Sequence, residues 1–174
     1  MSIALLQAGV LATYSYVAPL LTERAGLPDA VVPLAMLGYG VGALAGTTLG
    51  GHRGGDKNPW TTVLPAALLL GAITLWATSS AVVVALIVLL GFFGIIANPI
   101  LDGQVVRIAG ADRSLPMALA TSWINVGIAT GSWIGGLALA TSLDLKGPSL
   151  AGLVLALLPI GACWARWAGR TAGR

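Results

Sequence analysis

The sequence predicts an all-α membrane protein with six transmembrane helices arranged as two inverted three-helix repeats. Three observations carry that reading. Hydrophobic residues make up 57% of the 174 and charged residues only 9%, against about 25% charged in soluble domains, so the chain lacks the polar surface that water demands. The apolar residues fall into six blocks of about 20, the length that crosses a hydrocarbon core of roughly 30 Å. Finally, the second block resembles the fifth.

The first block, about 2–21, is read as a span rather than a secretory signal. No basic region precedes it, and it carries Gln7, Thr13, Tyr14 and Tyr16. Gln7 and Tyr14 are seven apart and so nearly superposed on a helix. In a bilayer such groups turn inward or toward a water-filled cavity. The alternative is ordinary hydrogen bonding inside a static bundle.

The second block, about 30–50, contains "GYGVGALAGTTLGG", with glycine at 38, 42, 46 and 50. In a water-exposed helix interior each glycine costs roughly 1 kcal/mol relative to alanine. In lipid, helices associate by close packing, and small residues four apart let backbones touch. Gly38, Gly42, Gly46 and Gly50 therefore predict a groove that receives another helix.

The third block, about 60–78, and the sixth, about 149–167, show no polar stripe, which suits a lipid-facing position. The sixth contains Cys163, the only cysteine, so no internal disulfide can form. The fourth block, about 81–101, ends in "NPIL" with Asn98 in it. The fifth, about 115–140, has two sides. Ser122, Asn125, Ala129 and Ser132 cluster within about 80°, while Gly127, Gly131 and Gly135 form a second groove. Trp123 and Trp133 are expected to serve packing.

The repeat is visible when "GVGALAGTTLGG" (40–51) is set above "NVGIATGSWIGG" (125–136) at a shift of 85: Gly42 meets Gly127, Gly46 meets Gly131, and Gly50-Gly51 meet Gly135-Gly136. "APLL" (18–21) and "NPIL" (98–101) close the first and fourth blocks in the same way. Three spans per unit force the second unit into the membrane from the opposite side, as in secondary transporters. The expected division is one six-helix bundle over 1–174, with repeat one about 1–80 and repeat two about 81–174. The first, second, fourth and fifth blocks surround a central space.

The net charge of +3 matters less than where the charges sit. Arg53 and Lys57, Arg107 and Arg113, and Arg166, Arg170 and Arg174 follow the even-numbered blocks, while the alternate loops hold only Arg24 and Lys146. By the positive-inside rule both termini are cytoplasmic. Charges distributed in this way answer to a lipid bilayer and do not form a nucleic-acid surface.

In "GGHRGGDKNPW", Asp56 precedes a helix opened by Pro59, where the N-terminal dipole favours a carboxylate. Arg53 and Lys57 flank it, and His52, the only histidine, is expected to be solvated in the same loop. All six carboxylates fall at block ends or in loops, so no proton-binding group of the kind that pumps bury is evident. Asp102, at the end of the fourth block, is the nearest candidate and reads as a helix-end charge. Nothing suggests catalysis, a metal or a cofactor: Ser132 lies mid-span and His52 in a loop, too poorly placed for the serine–base pair an intramembrane protease needs.

The stretches "TYSYVAPLLTERAGL", "LGYGVGALAGTTLGG", "GGHRGGDKNPW" and "SWINVGIATGSWIGG" resemble the C-terminal six helices of the major facilitator superfamily, nearest the bacterial drug:proton antiporters of the chloramphenicol-exporter and sugar-efflux group. The family's loop motif, Gly-Gly-Arg-Leu-Ala-Asp-Arg in approximate form, falls on Gly51 to Lys57, with His52 in place of the second Gly and Gly54 in place of the Leu.

The resemblance implies half of a multi-pass exporter of the bacterial inner membrane, proton-coupled and acting on small amphiphilic compounds. Gln7, Tyr14, Asn98 and Asn125 would line the substrate path, and Arg53, Asp56 and Lys57 would form a cytoplasmic gate. The partner would be a missing N-terminal six-helix half or a second copy. An inert structural membrane subunit is the competing expectation.

Overall fold

The computed structural model describes residues 2–52, 60–76, 80–110 and 112–158. Among them every regular element is helical. Helix α1 is Ser2–Tyr14. After a turn at Ser15 and Tyr16, the short α2, Val17–Pro19, runs into a π-helical turn, Leu20–Arg24. A 3₁₀ turn, Asp29–Val31, leads into α3, Val32–His52. Then follow α4, Trp60–Trp76; α5, Ser80–Ile95; α6, Ala97–Ala109; and α7, Ser114–Leu139. The last described helix, α8, covers 147–158.

The stops are local. Gly26 and Gly110 both adopt φ of +66°, a left-handed conformation that glycine reaches without steric cost, and they end the π-turn and α6. Between α5 and α6 the Ile96 N–H still donates to the Phe92 carbonyl, so these two helices continue as one apolar span, Ser80–Ala109.

Two helices, Asp29–His52 and Ser80–Ala109, are long and apolar enough to cross a membrane, and the pair Ala4–Tyr14 and Val17–Arg24, bent by 47°, makes a third if counted as one. The sequence predicts six. The difference has physical causes. The apolar stretch of α4, Leu64–Leu75, is short. The 26 residues of α7 are long enough, but its Ser, Thr, Asn and Gly content lowers its hydropathy. Of the sixth block, residues 159–167 lie outside the described residues.

The packing is dominated by two helix pairs, α3 with α5 and α1 with α7. Both are glycine-mediated. A Cβ at Gly42 or Gly46 would run into the backbone carbonyls of Val88 or Phe92, and at Gly50 it would lie 2.7 Å from the Ile96 oxygen; Gly38 is close to the Val88 side chain. On α7, Gly127 and Gly131 meet the carbonyls of Ala4 and Ala8 in the same way, and Gly135 would put a Cβ 2.7 Å from the Ala12 oxygen. Partner numbers rise together in each series, so each pair runs parallel. Glycines on α7 lie 85 residues after those on α3, and the backbones they meet differ by 84.

The hydrophobic core gathers Leu6 and Val10 of α1, Leu70 and Ile73 of α4, and Val83, Ile87 and Leu90 of α5. α4 is therefore not uniform: Ala66, Leu70 and Ile73 make a buried stripe, while Leu64, Leu68 and Leu75 stand exposed. Gly9 and Gly152 bring α8 against α1. At the far end Arg24 Nη2 donates to the Thr74 carbonyl at 2.6 Å, a cation on the negative end of α4, and Ser80 Oγ donates to the Ala25 carbonyl at 3.1 Å.

Three expectations change. His52 belongs to the last turn of α3, with Nδ1 2.7 Å from the Thr48 carbonyl, because the helix continues past the second block's predicted end. Asp102 lies inside α6, half-buried, since the helix runs on to Ala109. Trp123 and Trp133 are 46% and 66% exposed on α7, the glycines having taken its packing side.

Candidate substrate path

Gln7 is 2% exposed, and its Nε2 donates to Asn98 Oδ1 at 2.8 Å, tying α1 to α6. The two amides, 91 residues apart in sequence, thus form one pair. The Gln7 Oε1 is buried without a hydrogen-bond partner among the described residues. An orphaned acceptor of this kind costs on the order of 1–3 kcal/mol, which marks the pair as a place where a further donor is favoured.

Tyr14 stands half-buried, its ring centroid 4.2 Å from that of Tyr39 on α3 and tilted by 31°. Tyr39 itself is buried in the core. The spacing that superposes Gln7 and Tyr14 on α1 therefore carries them to different neighbours.

Asn125 is exposed on α7 beside Ser122 and Ala129, whereas Gly127, Gly131 and Gly135 are buried on the other side. One face of α7 packs while the other stays open. Two helical turns beyond Asn125 lies Ser132, whose Oγ is 2.8 Å from Ser15 Oγ. Tyr16 OH donates to the Ser132 carbonyl at 3.1 Å. Ser132 is thus engaged with hydroxyls rather than with a base. Ser15 and Tyr39 escaped the sequence reading, and Tyr16 entered it only as a polar residue of the first block; "TYSY" (13–16) carries the cluster of hydroxyls that points to Ser15 and Tyr16.

Arg53, Asp56 and Lys57 lie outside the described residues, as does Cys163. Elsewhere, Glu23 and Arg24 face Asp144 and Lys146 across an open cleft of ≈ 610 Å³, at the loops that follow the first and fifth blocks.

The hydroxyls, phenols and amides of α1, α6 and α7 supply donors and acceptors in an apolar frame, and this equips them for recognition rather than bond-breaking. A chloramphenicol resistance protein of Streptomyces lividans is 29% identical over 159 residues, covering 88% of this chain and 40% of the relative. Two uncharacterized MFS-type transporters of Bacillus subtilis (strain 168) are similar as well. YtbD is 29% identical over 138 residues, 74% of this chain and 34% of its own length. YfhI is 28% identical over 137 residues, 75% and 34%. The chain is thus similar to proteins named as major facilitator transporters and to a chloramphenicol resistance protein. It spans 34–40% of the length of these curated relatives. No protein-family model matches it, and no solved structure does.

Proposed function

We propose that this chain is the C-terminal six-helix half of a major facilitator exporter. It would work by alternating access with a complementary six-helix half, or with a second copy, and carry small amphiphilic compounds out of the cell in exchange for protons. The observation that carries the reading is the pair of glycine-mediated contacts. α3 on α5 and α1 on α7 repeat one arrangement at a near-constant shift, as expected when two inverted triplets interlock around a pseudo-two-fold axis in the membrane plane.

In this reading the bundle lies in the bacterial inner membrane with both termini cytoplasmic, and repeat one ends near residue 80. Gln7 with Asn98, Tyr14 and Asn125 contribute the polar points of the path. Arg53, Asp56 and Lys57 form the cytoplasmic gate. The resistance phenotype in the name of the Streptomyces relative supports an antibiotic-like substrate.

The test is export. Cells expressing the chain together with a complementary half from the Streptomyces relative should extrude chloramphenicol; export by the chain alone would mark a second copy as the partner, and export only with the added half would mark the missing half. Correct insertion with no export in either case would refute the reading. Labelling of cysteines placed beside Lys57 and Lys146 should locate them on opposite sides of the membrane.

A further inference from the structure

The open cleft at the loops that follow the first and fifth blocks takes no part in the proposed path. Helices α1 and α7 run parallel, so the π-turn Leu20–Arg24 that continues the first span and the 3₁₀ turn Asp144–Lys146 that follows α7 emerge at one surface. There Glu23, Arg24, Asp144 and Lys146 line a cavity of ≈ 610 Å³. Each turn brings one acid and one base. We propose that this cleft binds the headgroup of an amine-bearing phospholipid of the adjoining leaflet, with its phosphate on Arg24 and Lys146 and its ammonium on Glu23 and Asp144.

Separate observations select that ligand. The four side chains do not spend their charges on one another, since no ion pair joins them among the described residues. Arg24 is set for an anion. Its Nη2 donates to the Thr74 carbonyl at 2.6 Å, which fixes the guanidinium, while its buried Nη1 has no partner among the described residues. An orphaned donor on a charged group is costly, and a phosphate oxygen is a strong acceptor for it.

The balance of charge selects further. A purely anionic headgroup meets two carboxylates, and a quaternary ammonium has no N–H for them to accept, whereas a primary ammonium donates to both. Asp144 is short and sits at φ +50° in its turn, which holds its carboxylate near the backbone rather than on a long arm. Both turns close helical runs, at the depth where headgroups meet the ends of spans. Leu143 and Leu145 line the same cleft and offer apolar contact to the glycerol and upper acyl carbons.

The site needs only that the chain spans a bilayer, so it stands or falls apart from export. The full chain, purified in mild detergent, is mixed with equal amounts of phosphatidylethanolamine, phosphatidylcholine and phosphatidylglycerol of identical acyl chains, and native mass spectrometry counts the lipid retained. Exposed charge contacts are individually weak, so phosphatidylethanolamine should exceed each of the others by roughly two- to fivefold. Glu23→Gln with Asp144→Asn should bring it down to the level of phosphatidylcholine. Lys146→Gln should lower both, because the phosphate is common to them. Asp112→Asn, at the opposite end of α7, should change nothing. The replaced side chains are exposed, so the fold is not at stake, and Arg24 stays in place because it also caps α4.

Equal retention of the three lipids, or an unchanged preference in the Glu23→Gln Asp144→Asn double variant, would overturn the site. Displacement of the lipid by free O-phosphoethanolamine at equal concentration would overturn it too, by assigning the cleft to a soluble ligand.

Discussion

Replacing Gly131 with alanine puts a single methyl where α7 touches the Ala8 backbone of α1. At Gly135, one turn on, an added Cβ would lie 2.7 Å from the Ala12 oxygen, whereas ordinary van der Waals contact begins at 3.4 Å. The helices must therefore separate by about 0.7 Å there, and by more at Gly131, where the Ala8 carbonyl is closer still. A radial gap of 0.5–1 Å forfeits roughly a quarter to a half of each dispersion contact, and overpacking of a well-fitted core costs about 1–3 kcal/mol. We expect Gly131→Ala to destabilise the bundle by about 2 kcal/mol. Gly46→Ala, its counterpart against Phe92, should cost the same within error. Gly40 is the control, because nothing lies within 4 Å of a Cβ built there. Gly40→Ala should be neutral or mildly stabilising, since alanine is the better helix former. Unfolding in dodecyl sulfate micelles, followed by tryptophan fluorescence, measures all three. Equal stability of the Gly131 and Gly40 variants would refute the close-approach argument.

Two further outcomes follow from the polar groups. A double-mutant cycle on Gln7→Ala and Asn98→Ala should return a coupling of about 0.6 kcal/mol, read from the same micelle unfolding curves; zero coupling would separate the two amides. If the proposed exporter reading holds, Asp102, half-buried within α6 one turn beyond Asn98, is among the described carboxylates the one set inside a span, rather than at its end, for proton exchange. Asp102→Asn should lower proton-driven chloramphenicol export by the reconstituted pair at least about tenfold, in line with general acid–base contributions of 10²–10⁴, while leaving chloramphenicol binding intact. Unchanged export would remove it from the coupling step.

The spacing of glycines was legible because close approach in lipid leaves few residue choices: each fourth position on α3 and α7 must be small. The segregation of Asn125 from Gly127 and Gly131 followed from the same helical arithmetic. Tertiary pairing was not legible. Seven residues superpose Gln7 and Tyr14 on α1, yet Gln7 reaches Asn98 and Tyr14 reaches Tyr39, since the neighbour at each depth depends on how α1 lies against α3 and α6. The break at Ser15 falls four residues before Pro19, which has no N–H for the Ser15 carbonyl and crowds it; the sequence reading used that proline only to close the first block. Helix ends were also misplaced at His52 and Asp102, where polar residues continue a helix that hydropathy alone would stop.

Because α5 docks on α3 and α7 on α1, neither pair can form until the ribosome has made its later helix. Ala8 must await Gly131, 123 residues later, and at 5–20 residues per second that interval is roughly 6–25 s. Throughout it the face of α1 that meets the α7 glycines is without that partner. Translation speed across residues 9–131 is therefore a variable that biogenesis of this protein has to accommodate.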